Sequence, residues 1–106
     1  RRRFVGAIDG VLDGQLYGWC AQEGRVEPVR LELHVADRVV ATFSADHFRQ
    51  DLAQIGVGNG SHGFYVDLEA LGLAPETVIS VKVAGRMLEL QNSGRTLGTL
   101  PVLASG

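Results

Sequence analysis

The feature that most limits what this chain can become is a set of apolar side chains at every second position: Val29, Leu31, Leu33 and Val35, with Arg30, Glu32 and His34 between them. Successive side chains of an extended strand point to opposite faces, so this pattern makes a strand with one buried and one wet face. After Ala36-Asp37-Arg38 the same period resumes at Val39, Ala41, Phe43 and Ala45. So short a connection predicts an antiparallel hairpin. Further inward sets are Phe64, Val66 and Leu68, then Ile79, Val81 and Val83, then Leu88 and Leu90 beyond Gly85. Residues 4–9 and 15–22 flank an Asp/Gly-rich bend, and Asn92-Ser93-Gly94 turns the chain into a last segment at 96–102. This spacing predicts an all-β fold, an immunoglobulin-like antiparallel β-sandwich of seven or eight strands.

One short helix interrupts the pattern. Phe48, Leu52 and Ile55 recur at four and three residues, the spacing of a helical face, so residues 46–55 are expected to be helical. Asp46 is the expected amino-terminal cap and Gly56 the expected stop. A helix this short is unstable alone. Its three apolar residues are therefore expected to insert into the end of the sandwich, where the helix would link strands of opposite sheets.

The 106 residues are expected to form a single domain spanning 1–106, large enough to bury roughly two thirds of its unfolded surface. Arg1-Arg2-Arg3 suggests a module cut from a longer protein. Ten basic against twelve acidic residues leave a net charge of -2, which supplies no broad positive field for nucleic acid and no polybasic face for an anionic membrane. No apolar run approaches the ~20 residues that cross a bilayer, so membrane insertion is not expected. Cys20 is the only cysteine; it excludes an internal disulfide, leaves the compartment open and is expected to be a small buried packing residue.

No reaction centre is legible. Gly58-Asn59-Gly60-Ser61-His62-Gly63 satisfies G-x-G-x-x-G, but a helix precedes it and a strand follows it, the reverse of the order that holds a pyrophosphate on a helix amino terminus. It is read as a turn. His34, His47 and His62 lack zinc-ligand spacing, and Asp9, Asp13 and Asp37 belong to turn chemistry rather than to a calcium loop. Ser44, His47 and Asp51 supply the residue types of a hydrolase triad without its order, and Asp46 with Asp51, or Asp67 with Glu69, would need a sugar-sized cleft to act as a glycosidase pair. No catalytic residue, metal or cofactor is expected.

Recognition is the better prospect. Tyr17 and Tyr65 are expected on the surface, where a ring stacks on a sugar face, while Trp19, in mid-strand, is expected in the core. Arg49 and Asp51 are expected to pair and fasten the short helix, with ligand capture as their other role. Together with His62 of the Gly-rich turn, the candidate ligand-binding set is Tyr17, Tyr65, His62, Arg49 and Asp51.

The order of Gly14-Gln15-Leu16-Tyr17-Gly18-Trp19-Cys20, residues 29–35, Val39-Val40-Ala41, Phe48-Arg49-Gln50-Asp51-Leu52, Ile55-Gly56 and the glycine string through Phe64 resembles a bacterial β-sandwich module appended to glycosyltransferases and polysaccharide-related surface proteins. The similarity covers most of residues 5–90. Ala21-Gln22-Glu23-Gly24 departs from it, where the family pattern has a second aromatic and an Asp-Pro turn. The resemblance implies a noncatalytic accessory domain of a bacterial cytoplasmic or cell-envelope protein, one that binds glycan or positions a neighbouring glycosyltransferase domain. The alternative is a structural spacer or protein-interaction domain without sugar affinity.

Overall fold

A computed structural model describes residues 3–104; Arg1 and Arg2 of the basic run lie outside the described residues. The elements in chain order are β1 (Phe4–Leu12), β2 (Gln15–Gln22), β3 (Val29–Val35), β4 (Arg38–Ala45), β5 (His47–Phe48), α1 (Gln50–Gln54), β6 (Ser61–Asp67), α2 (Leu68–Leu71), β7 (Val78–Val83) and β8 (Arg95–Thr96). The strands form two antiparallel four-stranded sheets, ordered β1-β2-β6-β5 and β4-β3-β7-β8. That is the Greek-key order of an immunoglobulin-like sandwich, with β4 as the extra strand beside β3.

The alternation read from the sequence builds the core. Ile8, Leu16, Cys20, Phe64 and Val66 from the first sheet meet Val29, Leu31, Leu33, Ile79, Val81 and Val83 from the second, all buried. Phe43 and Phe64 stack across the gap between sheets with ring centroids 5.1 Å apart. Burying each aliphatic side chain contributes about 1.5–3 kcal/mol, which is why the strand register is held so firmly. Phe64 lies opposite Gly18 in the pairing of β2 with β6, and a Cβ on Gly18 would strike the Phe64 ring.

The hairpin of β3 and β4 forms as expected, closed by Ala36 and Asp37 at φ +50° and +65°. Two consecutive left-handed residues match the type I′ turn whose twist suits paired strands. One expectation about β4 fails. The register shifts between Leu33 and His34, so the parity of β4 changes, Val40 packs on the core and Val39 is half exposed. The segment after Gly85 also departs from a strand. Only single bridges form, Lys82 with Glu89 and Ala7 with Gln91, so that Leu90 is buried while Leu88 is largely exposed.

The corner at 46–55 differs most. The chain crosses from the second sheet to the first before the helix, because His47 and Phe48 pair with Gly63 and Ser61 of β6. Having spent their backbone groups on a sheet, these residues start no helix, and α1 begins only after Arg49, which stands at the cap position without a side-chain cap bond. Asp46 lies 4.0 Å from His47 Nε2 instead. Helix α1 therefore joins two strands of one sheet. Leu52 is its only inserted apolar residue, while Phe48 and Ile55 are 62% and 72% exposed. Gly56 leaves the helix at φ +80° as expected.

A second helix was not foreseen. Asp67 ends β6, and its carboxylate accepts from Glu69 N and Ala70 N at 3.1 and 3.2 Å, capping α2 while Leu68 keeps its inward place. Residues 101–104 then run along the open side of β1. Val11 N donates to the Pro101 carbonyl at 2.8 Å, and Leu103 N donates to the Val11 carbonyl at 2.9 Å. This covers an edge that would otherwise present unpaired amides. No helix among the described residues is long and apolar enough to cross a membrane.

Candidate functional site

Because Leu16, Gly18 and Cys20 point inward, strand parity places Tyr17 and Trp19 together on the outer face of the first sheet. Trp19 is thus a correction: it is partly exposed and stands outside the core, although its size favoured burial. The parity signal was already in the sequence, since a buried Trp19 would have required exposing Leu16 and Cys20. Tyr17 and Tyr65 are direct cross-strand partners of β2 and β6, their ring centroids 6.2 Å apart and tilted by 43°. His47 of β5 extends the row, its ring 4.5 Å from that of Tyr65. The Tyr17 hydroxyl donates to Gln15 Oε1 at 3.0 Å, which fixes the ring.

Beside this aromatic row lies a charged cluster. Arg49 leaves the end of β5 and lies back across β6, over Gly63, toward β2 and β1. Its Nε and Nη2 donate to the two carboxylate oxygens of Asp51 at 3.0 and 2.6 Å; Nη1 donates to Asp9 Oδ2 at 2.6 Å and to the Gly18 carbonyl at 3.3 Å. The bidentate, charge-assisted pairing is among the stronger polar contacts available to a protein. The Asp51 hydrogen bond is the largest cause holding the guanidinium charged more firmly than usual; burial opposes it, and the Asp9 bond adds to it. Conversely, the bond from Arg49 holds the Asp51 carboxyl below its ordinary value of 3.8.

Asp9 was the residue that sequence reasoning missed. It is expected in turn chemistry, yet it sits within β1, where alternation with the buried Ile8 sets its carboxylate on the outer face. A partner forty positions away in the chain has no local sequence signal. Asp9, Leu12, Tyr17, Arg49, Leu103 and Ala104 line a cleft of about 510 Å³, with the C-terminal segment as one wall.

The structure therefore gathers four of the five candidate residues, Tyr17, Tyr65, Arg49 and Asp51, on one face and separates the fifth. His62 points into the sandwich beneath the Gly-rich turn, fully buried, and neither ring nitrogen has a hydrogen-bond partner. Burial pushes its pKa below the usual histidine value, which favours the neutral ring. Asn59 Oδ1 accepts from Ser61 N at 3.0 Å, so the glycine string is a side-chain-stabilised turn leading into β6.

The fold and this face together define an immunoglobulin-like sandwich whose first sheet presents an aromatic row beside an arginine-carboxylate cluster. No family model, curated protein or solved structure matches the chain.

Proposed function

We propose that this chain is a noncatalytic, carbohydrate-associated module that contacts glycan through the outer face of its first sheet. The observation that carries this reading is the cross-strand pairing of Tyr17 with Tyr65 beside the Asp9–Arg49–Asp51 cluster. Tilted rings on a rigid sheet present apolar faces to the weakly polar side of a sugar ring, and adjacent carboxylates accept from its hydroxyls. A cleft of about 510 Å³ is of a size to seat one or two sugar rings. The motif order that resembles glycosyltransferase-appended modules supports the same reading, with the parent enzyme's polymer as the natural ligand.

A glycan array with the wild-type chain, repeated with Tyr17→Ala and Tyr65→Ala, is the test. Each substitution should weaken binding about tenfold or more, equivalent to about 1.4 kcal/mol. Unaltered binding by both variants would move recognition off this face.

The second reading, a spacer or protein-interaction domain, draws on a separate apolar cleft of about 350 Å³. It lies between α2 and the C-terminal segment and is lined by Val11, Leu68, Leu73, Leu97 and Leu100 among others. Crosslinking within the full-length parent distinguishes the two, since only this reading requires a neighbouring domain against that cleft.

A further inference from the structure

The charge chemistry of the aromatic face narrows the kind of glycan it accepts, an inference that rests on the reading above. Arg49 is the cation an acidic sugar would seek, yet its four hydrogen bonds to Asp51, Asp9 and the Gly18 carbonyl leave a single Nη2 hydrogen uncommitted. At the cleft, the acceptor that remains open in the cluster is a carboxylate oxygen. Among the described residues, Asp9 Oδ1 takes no hydrogen bond, and Asp9 lines the cleft with Tyr17 and Arg49, while Asp51 stands just outside that lining. Two carboxylates against one guanidinium leave the cluster one net negative charge.

The surrounding sheet has the same sign. Its strands and α1 carry Asp9, Asp51 and Asp67, with Arg49 between β5 and α1 and Arg3 just before β1, whereas the strands of the opposite sheet carry Arg30, Arg38, Lys82 and Arg95 against Glu32. The two faces thus differ in charge although the whole chain is nearly balanced.

We infer that the Tyr17 cleft selects glycans presenting hydroxyl or ammonium hydrogens and rejects those bearing carboxylate or sulfate, with Arg49 as a positioning residue for Asp9 and Asp51 and not an anion clamp. A ligand carboxylate about 5 Å from the excess charge meets a repulsion that weakens binding roughly tenfold at an effective dielectric between that of water and of a protein surface. Salt shrinks that margin.

The experiment is an array of neutral, glucosamine and glucuronic-acid oligosaccharides of matched backbone, read at about 50 mM and about 500 mM salt, with wild type and Asp9→Asn. Neutral and amino sugars should bind, the uronates should bind roughly tenfold more weakly at low salt, and the gap should narrow both with salt and in Asp9→Asn. Uronates binding as tightly as the neutral series would overturn this inference and leave glycan recognition standing. An unchanged gap in Asp9→Asn would overturn the role given to that carboxylate. Failure of every sugar to bind would remove the glycan reading itself, and this inference with it.

Discussion

The aliphatic stem of Arg49 lies on Gly63 so closely that a Cβ at that glycine would sit 2.7 Å from Arg49 Cδ and 3.0 Å from Cγ. Gly63 is directly paired with Trp19 on β2 and His47 on β5, so the missing side chain opens a channel through the middle of the outer face. The guanidinium uses that channel to reach Gly18 and Asp9 from the far edge.

Gly63→Ala should therefore lift Arg49 from its seat. The expected cost is about 1–3 kcal/mol from overpacking, measured by urea unfolding, together with weakened binding of the glycan proposed above. Full stability with intact binding would mean that Arg49 reaches Asp9 by another route.

The Asp51 carboxyl, held below 3.8 chiefly by the Arg49 hydrogen bond, makes stability depend on pH in the acid range. Its folded pKa lies under its unfolded one, so the contribution is complete above about pH 4 and is lost as pH falls through the folded value. Asp51→Asn should flatten the fall of the unfolding free energy below about pH 4. A wild-type slope persisting in the variant would place the titration elsewhere.

His62 acts in a higher window. Burial depresses its folded pKa below 6.5, so the native state resists the proton that the unfolded chain accepts. Stability should be complete above about pH 6.5 and decline as pH falls below it. His62→Leu removes two unpaired buried nitrogens, should lose little stability at pH 8, and should abolish that decline. Chemical denaturation at pH 8 and pH 5 checks both halves.

Burial pushes the Cys20 thiol up to about 12. The folded protein should leave a thiol reagent such as Ellman's reagent unconsumed at pH 8, and full reaction should appear only on unfolding. Rapid labelling of the native chain would show that β2 opens locally.

Ala36 holds φ +50° in the hairpin turn, a conformation that costs a residue with a Cβ about 1 kcal/mol. Ala36→Asn should raise stability by up to about 1 kcal/mol, measured as a higher denaturation midpoint with unchanged slope. No gain would show that the turn relaxes without its help.

Much of this was legible along the chain because strand parity is a local property. Leu31, Leu33, Phe64, Val66, Ile79 and Val81 announced the two buried faces through period two alone, and Tyr65 announced its exposure by standing between Phe64 and Val66. The same rule places Trp19 beside Tyr17, where parity prevails over the tendency of so large a side chain to be buried. Where the local rule was overridden, a backbone partner distant in sequence did it. Phe48 has helical spacing with Leu52 and Ile55, yet β6 captured His47 and Phe48 as a strand and cut the helix to Gln50–Gln54.

What the sequence by itself determined is the sandwich, since alternation leaves a chain of this length few other ways to bury its apolar side chains. The grouping of the candidate face was decided in three dimensions. Alternation with Ile8 and with Phe64 sets Asp9 outward and His62 inward, but only the assembled sheet lets Arg49 reach Asp9 over a glycine on another strand and brings Tyr17 beside Tyr65. The physical reason is range: apolar periodicity acts between neighbours, whereas a hydrogen bond or ion pair depends on where separate strands bring their side chains together.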